Sequence, residues 1–91
     1  MTTLAVRHTV QDFNTWKAGF DGHDGARRSH GSTGYRVLHE GNSVLALIEF
    51  PDAASAQGFQ ADPSLREVMA KAGVIGAPDV SVWSEASQEQ Y

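Results

Sequence analysis

The sequence predicts an α+β domain, and three features carry that prediction. TLAVRHTV, from Thr3 to Val10, alternates Leu4, Val6, His8 and Val10 with Thr3, Ala5, Arg7 and Thr9, which is the period of a strand. TGYRVLHE and SVLALIEF flank Gly41-Asn42, a two-residue connection of the hairpin type. Asp12 and Asp62-Pro63 mark helix starts, because an aspartate accepts from the free amides of a first turn and proline suits the first helical position. In chain order the elements run strand, helix, strand, strand, a helix split in two, and strand. That is β-α-β-β-α-β, the ferredoxin-like order. It predicts a four-stranded antiparallel sheet with helices on one face, in one domain spanning residues 1–91.

Each element has its own justification. After Asp12, the residues Phe13, Trp16, Phe20, His23 and Arg27 recur at spacings of three and four, which is one stripe of a helix. Gly22 and Gly25 weaken that helix at its end, and Gly31 or Gly34 closes the loop. The hairpin turn sets a register in which Glu40 opposes Ser43, His39 opposes Val44, Val37 opposes Ala46 and Tyr35 opposes Ile48. One face then carries Tyr35, Val37, His39, Val44, Ala46, Ile48 and Phe50. The other carries Arg36, Leu38, Glu40, Leu45, Leu47 and Glu49. Neither face is polar throughout, so both need cover. Pro51-Asp52 opens an Ala-rich helix anchored by Phe59. The helix after Asp62-Pro63 presents Leu65, Val68, Met69 and Ala72, with Gly73 as its C-cap. The last strand reads DVSVWSE, from Asp79 to Glu85, and a polar tail follows over 86–91.

Length and charge narrow the function. A chain of 91 residues buries only roughly 60–65% of the surface that its unfolded form exposes, so its own core is marginal. It contains no cysteine, which excludes disulfides and thiolate metal sites. One layer of helices covers one sheet face and leaves Leu38, Leu45 and Leu47 on the other. A homodimer packed sheet to sheet is the simplest closure. The formal net charge is −4, and only Arg27 and Arg28 are adjacent cations. No basic face exists to neutralise phosphates, so nucleic acid is not an expected partner. No apolar run reaches the roughly 18 residues of a membrane span, and no leader pattern is visible. The expectation is a cytoplasmic protein with no membrane contact.

Three segments carry a resemblance: DFNTWKAGFDGHDGARR, GYRVLHEGNSVLALIEFPDAASAQGF and DPSLREVMAKAGV. Together they resemble the dimeric α/β-barrel superfamily, which includes antibiotic-biosynthesis monooxygenases, polyketide cyclases, muconolactone isomerase and stress-response barrel proteins. The resemblance runs from about Leu4 to Glu85 and is more specific for fold than for chemistry. It implies a pocket inside each protomer, between sheet and helices, with the opposite sheet faces packed across a dimer. Haem-degrading members carry a Trp and a His where this chain has Phe50 and Met69, and methionine is a poor substitute for the axial imidazole. Cofactor-free monooxygenases of the group use an Asn, Trp, Tyr and Arg set. Trp16, Tyr35 and Arg27 match parts of it, whereas Asn14 and Asn42 stand at a helix start and in a turn.

The polar residues on the inner face are the candidates for chemistry. His39 shares a strand face with Val37 and Val44 and is the candidate general base or acid, since an imidazole titrates near neutrality. The alternative is an exposed histidine beside the turn. His23 and Arg27 continue the apolar stripe to the far end of the first helix. They stand either at the mouth of a helix–sheet pocket, where with Tyr35 they would hold a carbonyl or carboxylate, or at a solvated helix end that favours cations. His8 alternates with Leu4 and Val6, so it points inward. His8, Trp16, Phe20, Phe50, Phe59 and Met69 are the expected lining of a substrate pocket, or equally plain core. Asp24, Arg28, Ser29 and His30 read as the solvated side. The histidines show no HxH or HxxxH spacing, so no metal is expected. No phosphate loop, nucleophile elbow or thiol is present. The expected function is a cofactor-independent enzyme, of cyclase or isomerase type, acting on a small hydrophobic aromatic or polyketide-like metabolite. The alternatives are a cofactor-free monooxygenase of phenols and a non-catalytic ligand-binding or stress-response dimer.

Overall fold

A computed structural model covers residues 1–91. The elements are β1 (Thr2–Val10), α1 (Phe13–Gly22), α2 (Asp24–Ser29), β2 (Gly34–Glu40), β3 (Ser43–Phe50), α3 (Ala53–Gln60), α4 (Pro63–Lys71) and β4 (Val74–Ser84). All strand pairs are antiparallel, and the sheet order is β2-β3-β1-β4. This is the ferredoxin-like α+β arrangement.

The hairpin register is the one that the Gly41-Asn42 turn dictates: Tyr35 faces Ile48, Val37 faces Ala46, and His39 faces Val44. Gly41 takes a φ of +58°, a region in which a Cβ would be strained. The turn is also tied to the end of β1, because Val10 N donates to Asn42 O at 2.8 Å and Asn42 Nδ2 donates to Gln11 O at 3.1 Å.

Period two puts Leu4, Val6, His8 and Val10 of β1 beside Val44, Ala46, Ile48 and Phe50 of β3 on the helix side. These apolar residues, with Trp16, Phe20, Ala56 and Phe59 from the helices, are the buried core. Three helices start on aspartate caps. Asp12, Asp52 and Asp62 accept from the backbone N–H of Thr15, Ser55 and Ser64. Each cap lowers the pKa of its carboxyl, because the hydrogen bonds favour the charged form.

Two boundaries differ from the sequence-based expectation. The stripe from Phe13 to Arg27 does not lie on one helix, because the chain breaks at His23 between Gly22 and Gly25 and restarts as α2. Glycines on both sides lower the cost of that break. The last strand begins at Val74 rather than Asp79, immediately after Gly73, whose φ of +82° ends α4. The added length is irregular. Pairing with β1 passes from Arg7–Asp79 to Thr9–Ile75, so β4 bulges over Gly76 to Pro78 beside His8. Gly76 supplies a φ of +71°, and Pro78 has no N–H to leave unpaired.

The sheet face away from the helices carries Leu38, Leu45, Leu47 and Trp83. Trp83 is 62% exposed. Arg7, Arg36 and Glu49 interrupt this apolar surface, and Thr3 Oγ1 donates to the Glu49 carboxylate at 2.8 Å.

Candidate active site

Between the sheet and the helices lies a cavity of about 40 Å³. Its floor is Val6, His8, Ala46 and Ile48; α1 supplies Trp16 and Phe20, and α3 supplies Phe59. Leu65, Val68 and Met69 of α4 close it, with Ala72 just beyond that helix. His23 and Arg27 complete the lining.

His8 is the unusual member. It is 7% exposed, and neither ring nitrogen has a hydrogen-bond partner. Its ring lies 5.3 Å from the Trp16 ring. Burial lowers its pKa, so the imidazole is neutral near pH 7. A neutral imidazole has one donor and one acceptor nitrogen, and both are left for whatever enters the cavity.

Arg27 stands at the other end. It is 2% exposed, although it is always charged. The guanidinium carbon sits 3.7 Å from the centre of the Phe20 ring, a cation–π arrangement. Its Nη1 donates to Phe20 O at 2.8 Å, its Nη2 reaches Asp24 at 3.5 Å, and its Nε has no partner. The break at His23 makes this possible, because α2 turns Arg27 back beneath the last turn of α1.

His23 joins the helices across the cavity mouth, with Nε2 2.9 Å from Ser64 Oγ on α4. Burial, and then the Arg27 charge, lower its pKa. A second histidine reinforces the junction. His30 Nε2 lies 2.8 Å from Asp62 Oδ2, and this contact with the capping bonds holds the Asp62 carboxyl down at about 2. His30 was expected on the solvated side; instead it is partly buried against the N-cap of α4. Neither Ser64 nor the Asp62–His30 pair carries a signal in the sequence, since the partners are 41 and 32 residues apart.

The remaining candidates lie elsewhere. His39 shares the predicted strand face but sits beyond the end of the cavity. It is exposed, stacked 3.6 Å from Phe13, with Nδ1 3.0 Å from Gly41 O. Tyr35 packs edge-on to Phe20 at 4.9 Å and opens to a polar cleft with Arg28 and Thr33. Phe50 is fully buried behind Phe59 and lines no part of the cavity. His8, Trp16, Phe20, His23, Arg27, Phe59 and Met69 are the predicted residues that converge.

No family profile matches the sequence, and no curated protein matches it. Solved structures do. SnoaB, a cofactor-independent oxygenase from Streptomyces nogalater, superposes with a TM-score of 0.77 at 15% identity, over 96% of this chain and 94% of that one. The chain shares the fold of that oxygenase. The monooxygenase ActVA-Orf6 of Streptomyces coelicolor, solved with nanaomycin D, matches with a TM-score of 0.70 at 16% identity, over 99% and 91% of the two chains. Rv0793 from Mycobacterium tuberculosis matches at 0.73 and 11% identity, over 98% of each. At these identities the likeness to the monooxygenases is one of fold.

Proposed function

We propose that this protein is a cofactor-independent enzyme that removes a proton from a flat, aromatic, polyketide-like molecule held between the sheet and α4. The carrying observation is His8: a neutral imidazole with both nitrogens unpartnered, in an otherwise apolar cavity. The fold shared with SnoaB and ActVA-Orf6 supports the class of substrate. His8 takes the proton from a phenol, or from a carbon next to a carbonyl. Arg27 and His23 hold oxygen at the opposite end. The general-base role foreseen for His39 moves to His8 in this reading, because His39 does not line the cavity.

Two outcomes start from that proton removal. In an oxygenation the carbanion reduces O2: a ring CH2 becomes C=O, one oxygen atom stays in the product and the other leaves as water. In a cyclisation or isomerisation the carbanion attacks or reprotonates within the substrate, and no oxygen is used. The fold neighbours favour the first, and the cavity chemistry serves either. The open sheet face supports a homodimer in both cases.

An oxygen electrode with an anthrone such as dithranol tests the reading. Uptake above the uncatalysed rate, in proportion to substrate lost, identifies an oxygenase. Substrate loss without oxygen uptake identifies the cyclase or isomerase. The variant His8→Gln should lower kcat by about 10²-fold, the usual worth of a general base. Unchanged turnover in that variant would remove His8 from the mechanism.

A further inference from the structure

The cavity is smaller than the ligand that its lining implies. At about 40 Å³ it holds a few waters, each needing roughly 10–15 Å³, and no fused ring system. On the outer side of α4 lies an open groove of about 440 Å³. It runs between α4 and the bulged part of β4, over Gly76 and Pro78, with Gln60 and Arg66 at its polar edge. Leu65 and Met69 line both spaces. These two unbranched or γ-branched side chains are the wall between them. No residue of α4 (63–71) is fully buried, and Leu65 and Met69 pack against the edge of the core rather than within it.

The groove has a charge of its own. No acidic residue lines it, in a chain whose net charge is −4. Arg66 is exposed and takes part in none of the molecule's ion pairs, which join Lys17–Asp21, Arg27–Asp24, Arg28–Asp24 and His30–Asp62. The β4 bulge that opens the groove lies beside His8, so groove and cavity meet at the same level of the sheet.

We propose that the groove is the outer half of the ligand site: the flat apolar body of the ligand enters the cavity between Leu65 and Met69, and an anionic group on its outer end rests against Arg66. This rests on the reading of the cavity as a ligand site and adds a substrate class to it, an aromatic acid rather than a neutral aromatic. Arg66 selects the ligand and takes no part in the chemistry.

Two dyes that differ by one sulfonate test it. 8-Anilinonaphthalene-1-sulfonate carries the anion, and N-phenyl-1-naphthylamine is its neutral twin. Both should bind the full chain with a rise in dye fluorescence. Arg66→Glu should raise the dissociation constant of the anionic dye about tenfold and that of the neutral dye less than twofold. Added salt should weaken the anionic dye on the wild type and not on the variant. Met69→Trp, which fills the wall, should weaken both dyes, with circular dichroism confirming its fold. The proposal is overturned if Arg66→Glu leaves the anionic dye unchanged, if it weakens both dyes equally, or if the wild type binds neither. The readout is independent of turnover. Dye selectivity with no conversion of either dithranol or an anthrone carboxylic acid would refute the proposed reaction and leave the groove assignment standing.

Discussion

Burial removes water from both ring nitrogens of His8, and the chain offers neither of them a replacement. A polar group left this way costs stability, about 1–3 kcal/mol by the usual desolvation penalty. Such a cost is tolerated where it serves a ligand. His8→Leu should therefore lower kcat by about 10²-fold or more while raising stability by about 1 kcal/mol, read as a higher urea midpoint at unchanged slope. The pH dependence has a definite sign. Burial lowers the folded-state pKa of His8 below its ordinary 6.5, so as pH falls through that value the unfolded chain takes up a proton that the folded chain refuses. Stability is then full above about pH 7 and declines on acidification. The His8→Leu variant should show a shallower decline between about pH 7 and 5. The slope will not vanish, because burial lowers the pKa of His23 in the same direction.

The elements around the site differ in how firmly they are held. β1 and β3 form the rigid floor, paired along eight positions from Thr2–Phe50 to Thr9–Ser43. α4 is tied at its ends: at one end by His23–Ser64 and His30–Asp62, and at the other by close packing of Ala72 on Gly19. A Cβ on Gly19 would approach the Ala72 Cβ to 3.1 Å, so glycine there lets α1 and α4 draw together. Between those ties, α4 meets the core through the partly buried Leu65 and Met69. The β4 bulge depends on Gly76 at φ +71°. Gly76→Val should cost about 1–2 kcal/mol, the strain of an L-residue in the left-handed region. It should also narrow the groove. A lower melting temperature together with weaker binding of the anionic dye would show both effects.

At the scale of the whole molecule, one sheet face is dry and the other is not. The open face sets Leu38 beside Leu45, and Leu47 between Arg36 and Ala5, with Trp83 at its edge. Large exposed apolar side chains sharing one face are an interface signature. A second copy laid on this face would bury them and supplement a core of twelve buried hydrophobic residues. The double variant Leu38→Glu/Trp83→Glu should convert a species of twice the 9.8 kDa chain mass into one of that mass in sedimentation experiments. Wild-type protein sedimenting as a monomer would refute the dimer.

Local physics made much of this legible without a structure. Strand alternation, the Gly41-Asn42 turn and the aspartate caps act over a few residues, and together they dictate the order of elements along the chain, the hairpin register and the inner face. His8, Trp16 and Phe20 could be placed towards a cavity for that reason. Other features depend on how far an element runs and on what lies opposite. His39 shares the parity of the cavity residues but stands past its end, stacked on Phe13, and parity carries no information about depth along a strand. The break at His23, which turns Arg27 inward, is decided by tertiary packing over weak local propensity at two glycines. The Ser64–His23 and Asp62–His30 contacts, the β4 bulge and the groove beside Arg66 each join residues distant in the chain. The sequence by itself determined the fold and the face on which a site would lie. Only the tertiary structure decided which of its polar residues meet there, because that depends on the packing of helices whose own sequence leaves their placement open.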